Sequence, residues 1–135
     1  MYNHIVMAVA LDHEHDLAQL QEISQGLLAE GGKITALHVF EELPSYASQY
    51  VSANYVHDFH KEVANDLHHK VRDMTNTTPV VVSGHAGRTI VDYGHENGAD
   101  CIVIASHQPG LEDYFLGSTA ARVVRHAKCS VHVIR

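Results

Sequence analysis

The chain predicts a single α/β domain of doubly wound type: a five-stranded parallel sheet flanked by helices, in the expected strand order 3-2-1-4-5. Three observations lead there. Five short β-branched runs alternate with helical patterns. The first and fourth runs are nearly continuously apolar, as in strands covered on both faces. Most of the links are short, which suits right-handed crossovers between neighbouring strands.

The first strand is expected over Ile5 to Val9. Leu17, Leu20, Ile23, Leu27 and Leu28 then recur every three or four residues, marking an amphipathic helix over Glu14 to Glu30, stopped by Gly31-Gly32. The second strand runs from Ile34 to Phe40. A link without clear period, Glu41 to Ala53, follows it, and long links in compact domains tend to be functional. The next helix spans Asn54 to Met74 and puts Val56, Phe59, Val63, Leu67 and Val71 on one face. Asn76-Thr77-Thr78-Pro79 breaks it. A third strand at Val80 to Ser83 leads to a helix over Arg88 to Glu96, ended by Asn97-Gly98. The fourth strand is Cys101 to Ala105, a helix opens at Gly117-Ser118-Thr119 and runs to Ala127, and the last strand is Ser130 to Ile134.

Bulk properties narrow the function. The 135 residues make one domain, 1–135, able to bury a core without staples. The formal charge of −7 opposes general nucleic-acid binding and offers no polybasic segment to a membrane. No run approaches the roughly 20 apolar residues of a membrane span, and no signal peptide is recognisable, so a cytoplasmic location is expected. Cys101 and Cys129 sit in apolar runs without C-x-x-C spacing and read as buried free thiols.

Ligands of an open parallel sheet bind beyond the carboxyl ends of the strands, where the strand order reverses. Three segments lie there: Ala8 to Asp12, Ser83 to Gly87, and Ala105 to Thr119. In the last, Gly117-Ser118-Thr119 opens a helix. Free amides, the positive end of the helix dipole and two hydroxyls could receive a phosphate there. The plainer reading makes Ser118 an N-cap. His57 and His60 share a helical face but lack the further ligands a metal needs, so no metal site is expected. No G-x-x-x-x-G-K-[ST] loop is present, and no lysine occurs between Lys70 and Lys128. Arg88, near the Gly84 turn, could neutralise phosphate charge. Ser118 lacks a nucleophile elbow, and Glu112-Asp113 are adjacent on a loop, so no catalytic residue is assigned.

The stretch from Ala105 to Arg135 resembles the C-terminal third of the universal stress protein family. The matching residues are His107, Gly110-Leu111, Leu116-Gly117-Ser118, Val123-Val124, Arg125-His126-Ala127 and Cys129-Ser130-Val131. The family pattern is glycine, two residues, glycine, nine residues, glycine, then Ser or Thr. Here Ala105 and Gln108 replace the first two glycines, and eight residues separate Gln108 from Gly117. The form Ala-Ser-His-x-Pro with Tyr-x-Leu-Gly-Ser, Pro44 to Ser48, and the opening Met1 to Val6 resemble an enterobacterial-type branch that binds ATP.

The resemblance implies a regulatory, stress-response module that binds ATP, or ADP or AMP, with Mg as a candidate counter-ion. Adenine would lie at Ala8, Val9, His38 and Val39, and the ribose at Ala105 and the Gly84 turn. The phosphates would lie at His107, Gly117, Ser118 and Thr119. The family commonly carries an Asp near the end of the first strand; the register puts Ala10 there and leaves Asp12 two residues on. The family also implies a homodimer through the C-terminal strand and an unidentified protein partner. Hydrolysis is expected to be slow or negligible. The alternative is a nucleotide-free dimeric module that binds a stress-response partner.

Overall fold

The computed structural model describes residues 1–11, 14–41, 43–106 and 116–135, with the side chains of Glu14 and His15 outside that description. Five parallel strands form one sheet in the order β3-β2-β1-β4-β5. They are β1 (Tyr2–Ala8), β2 (Leu28–Phe40), β3 (Thr77–Ser83), β4 (Cys101–Ala105) and β5 (Ser130–Ile134). The helices are α1 (Glu14–Leu27), α2 (Ser45–Ser48), α3 (Ala53–Val71), α4 (Ala86–Glu96) and α5 (Ser118–His126). The sheet, its order and its parallel sense are those expected.

The core explains why β1 reads as a continuous apolar run. Ile5, Met7 and Val9 point to one face and pack with Leu20, Leu67 and Val71 of α1 and α3. Val6 and Ala8 point to the other and pack with Ile90, Ala120 and Val123 of α4 and α5. A strand covered on both sides needs apolar residues at every position.

Several boundaries differ from the sequence reading. The first helix ends at Leu27, and β2 already begins at Leu28, ahead of the two glycines. Tyr2 pairs with Leu28 and His4 with Lys33, so β2 carries extra residues opposite Asn3. Gly31 takes a φ of +77°, and a Cβ on Gly32 would lie 2.7 Å from Leu28 Cδ1 and 3.1 Å from the Asn3 carbonyl oxygen. The glycines therefore serve a bulge rather than a helix stop.

Helix α3 ends at Val71, and Thr77-Thr78-Pro79 belong to β3 instead of the break. Proline is tolerated because β3 is an edge strand. The helix is capped at Arg72, and Asn76, with φ +56°, sits directly before β3. Only Leu67 and Val71 of the α3 face are fully buried; Phe59 is exposed, stacked on Tyr55 and edge-on to Phe40. The link after β2 contains the short helix α2. Both cysteines are free, but Cys129 is only partly buried, because it precedes the edge strand β5. Burial pushes the Cys101 thiol up to about 11 and raises that of Cys129.

Candidate functional site

The strand order reverses between β1 and β4, since the chain leaves β1 for β2 and β3 and returns on the other side for β4. Such a point leaves a crevice at the carboxyl ends. A cavity of about 420 Å³ occupies it, within the range of small-molecule sites. Ala8 at the end of β1 with Val9 and Ala10 after it, Leu37, His38 and Val39 of β2, and Ile104 and Ala105 of β4 with Ser106 after it form its floor. Ala86 and Ile90 of α4 and Gly117, Thr119 and Ala120 at the start of α5 close one side; Asp16, Leu17 and Leu20 of α1 close another.

The small residues are what keep the space open. Ala8, Ala10, Ala105 and Ala86 stop at Cβ where larger side chains would fill the crevice. The wall is mostly apolar, with polar groups at a few points. His38 Nδ1 is 2.8 Å from the Val9 carbonyl oxygen. A carbonyl can only accept, so Nδ1 carries a proton, and in the tautomer this selects Nε2 is the acceptor. The Val9 N–H donates to the Leu37 carbonyl at 2.8 Å, fixing the end of β1 beside β2. Asp16 and Glu41 bring carboxylates to the rim.

At the start of α5 the structure corrects one expectation. Ser118 is not the N-cap: Gly117 holds that position with φ −61° and ψ 153°, and no side chain caps the helix. The Gly117 N–H donates to Ser106 Oγ at 2.8 Å. The first helical hydrogen bond is Ala121 N–H to the Gly117 carbonyl, so the amides of Ser118, Thr119 and Ala120 precede it. Ser118 itself is exposed and lines a second cavity of about 330 Å³, which meets the first at Glu41 and Thr119.

Of the residues singled out in the sequence, Ala8, Val9, His38, Val39, Ala105, Gly117 and Thr119 line the first cavity. Ser118 lines the second, and Thr119 lines both. Gly84, at the end of β3, lines neither, although its neighbours His85 and Ala86 do; its φ of +149° and the close approach of Thr89 Oγ1 give it a structural reason to be glycine. Arg88 also lines neither and pairs with Asp92 one turn on, at 3.8 Å. Asp12 and His107 lie outside the described residues. Among the described residues, no group of three or more His, Cys, Asp or Glu is gathered as a metal site would require, and no helix is long and apolar enough to cross a membrane.

The sequence reading passed over Asp16, Glu41, Ser106, Arg122 and Arg125. Ser106 had a usable signal, since a hydroxyl directly after a strand at the switch point commonly bonds the next turn's backbone. The arginines had the i, i+3 spacing that joins residues on one helical face.

A family model for the Universal stress protein family matches residues 1–135. Universal stress protein A homolog 2 of Coxiella burnetii is 28% identical over 139 residues, covering 99% of this chain and 95% of that protein. A solved hypothetical protein superposes with a TM-score of 0.77 at 20% identity, over 99% of this chain and 96% of the other. Two further solved relatives carry ligands. A universal stress protein in complex with cAMP gives a TM-score of 0.63 at 18% identity, over 99% of this chain and 97% of the other. The Archaeoglobus fulgidus universal stress protein in complex with dAMP gives 0.61 at 19% identity, over 99% and 98%.

Proposed function

This chain belongs to the universal stress protein family, and we propose that it is a small regulatory module that binds an adenine nucleotide, ATP foremost, in the cavity at the ends of β1, β2 and β4. One observation carries the reading. The cavity is apolar and floored by small residues where a base would stack, and one wall is the amide-bearing start of α5. Two solved members of the fold hold adenine monophosphates, cAMP and dAMP.

The chemistry distributes along the cavity. The adenine would lie over Ala8, Val9 and Val39, with His38 Nε2 as acceptor for its amino group. Asp16 and Glu41 offer carboxylates to a ribose hydroxyl, a task Ala10 cannot perform. Phosphates would meet the amides of Ser118 and Thr119, the Thr119 hydroxyl and the favourable end of the α5 dipole. Asp12, Gly84 and His107 remain proposed contacts from the family resemblance. Mg would be held through the phosphates and water, which is how that ion usually binds nucleotides. No residue is assigned to position an attacking water, so binding and not hydrolysis is the proposed activity.

Bound nucleotide would then alter what the module presents to a protein partner in the cytoplasm. Homodimerisation through β5 is supported by its position at the sheet edge, where, among the described residues, one row of backbone groups has no strand beside it. Calorimetry with ATP, ADP and AMP tests the reading, together with analysis of nucleotide released from freshly purified protein. Saturable binding is expected; no binding at millimolar nucleotide overturns it.

A second reading, a nucleotide-free dimeric partner module, is favoured by Ala105 and by the Gly117 amide, already engaged by Ser106. Protein that purifies without ligand and binds none in the same titrations would establish it.

A further inference from the structure

The second cavity has a character opposite to that of the whole chain. The protein carries a formal charge of −7, yet this space of about 330 Å³ is lined by Arg122, Arg125 and His126 of α5 and His85 before α4, together with Ser118. Glu41 is the one carboxylate among its lining residues. Among the described residues no acidic side chain pairs with either arginine, whereas Arg72 and Arg88 each have an aspartate partner. Both side chains are exposed, and two guanidiniums lining one concavity without such a partner give it a positive character suited to an anion.

Arg122 is also aimed. A Cβ on Gly87 would lie 2.8 Å from Arg122 Cδ and 3.0 Å from its Cβ. The aliphatic stem therefore lies flat across the start of α4, where only glycine leaves room. That contact limits the directions the guanidinium can take and lowers the entropy lost on binding.

We propose that this cavity is a subsite for a phosphate chain, held by Arg122 and Arg125 with ring N–H donors from His85 and His126. The chain is either the outer phosphates of a nucleotide whose base occupies the first cavity or an inorganic polyphosphate. The two cavities meet at Thr119 and Glu41, so one ligand can span both. The nucleotide arm rests on the function proposed above; the inorganic arm does not.

Titration with inorganic tripolyphosphate, AMP and ATP separates the cases, using wild-type protein and the Arg125→Gln, Arg122→Gln and double variants, with circular dichroism to verify folding. Arg125 is exposed, so its replacement leaves the fold unchanged even if loss of the Arg122 stem disturbs α4. Tripolyphosphate is expected to bind the wild type and to weaken about tenfold for each arginine lost. ATP should weaken in parallel while AMP does not, and Glu41→Gln should strengthen tripolyphosphate binding. Tripolyphosphate binding with neither nucleotide bound would reject the nucleotide reading and leave the subsite standing with an inorganic ligand. Equal tripolyphosphate affinity in wild type and the Arg125→Gln variant, or no binding at millimolar concentration, overturns the proposal.

Discussion

Ser106 Oγ accepts the Gly117 N–H at 2.8 Å, joining the residue after β4 to the N-cap of α5 across eleven positions of sequence. The bond fixes how far the start of α5 stands from the end of β4, and hence the width of the cavity between them. It also uses a donor that would otherwise be open to a ligand.

Replacing Ser106 with alanine removes this tie without adding bulk. Stability should fall by about 1 kcal/mol, the usual net contribution of a neutral hydrogen bond. Nucleotide affinity should fall several-fold, because the amides of Ser118 and Thr119 lose their fixed position. Urea midpoints and calorimetry measure the two effects. Unchanged affinity with reduced stability would show that Ser106 supports the fold alone.

The first cavity can be filled from its floor. Ala105 stops at Cβ at the end of β4 and is only partly buried. Ala105 lines the cavity while also packing against the core, so the three extra carbons of Ala105→Leu would enter the cavity at a cost of no more than about 1–3 kcal/mol in stability. Adenine nucleotide binding should weaken at least about tenfold, the scale on which pockets reject added methylenes. Tripolyphosphate binding, confined to the second cavity, should be unaffected.

The sheet was legible because its strands are rich in β-branched residues and separated by strong helical periods. The switch point followed from that order, and with it the segments that line the cavity. What stayed hidden were features with no periodic signature. Gly31-Gly32 look the same as a helix stop or as a bulge; only the pairing of Tyr2 with Leu28 decides. Pro79 reads as a breaker until β3 is known to be an edge. Arg88 sits beside the Gly84 turn in sequence, but the helix carries it toward Asp92 and away from both cavities. Arg122 and Arg125 resemble ordinary helix-end charge until α4 is packed beside α5.

The bulge makes its own prediction. A Cβ at Gly32 meets Leu28 Cδ1 at 2.7 Å, the Ala29 carbonyl oxygen at 3.0 Å and the Asn3 carbonyl oxygen at 3.1 Å. Two of these are backbone atoms and cannot rotate aside. Gly32→Ala should therefore cost about 1–3 kcal/mol, the usual penalty of overpacking. Gly26 lies in α1, and a Cβ added there would have nothing within 4 Å, so Gly26→Ala should gain slightly. Thermal melts of the two variants should move in opposite directions.

At the other end of the sheet, His4 is buried and accounts for its polar atoms. Nε2 lies 2.8 Å from Thr35 Oγ1, and Nδ1 lies 3.1 Å from the Asn97 carbonyl oxygen. The carbonyl fixes the proton on Nδ1, so Nε2 accepts from the Thr35 hydroxyl and the ring is neutral. Burial holds the imidazole below its ordinary 6.5; the Asn97 carbonyl opposes this, nearby Lys33 adds to it, and Asp100 opposes it. Above pH 6.5 the ring is neutral folded or unfolded, and stability is full. As pH falls below 6.5 the unfolded chain takes the proton first, and stability declines until the lowered folded value is reached.

Asp100 acts in a separate window. Burial alone would raise its carboxyl, but N–H groups of Asn3 and His4 at 2.9 Å outweigh it and hold the carboxyl below 3.8. Its contribution is present above pH 3.8 and is lost as pH drops through the lowered value. Urea midpoints from pH 8 to 3 should thus fall in two steps. His4→Gln should be less stable at pH 8 yet flatter between pH 7 and 5, and Asp100→Asn should flatten only the lower step. A His4→Gln profile parallel to the wild type through pH 6 would assign the first step to another of the thirteen histidines.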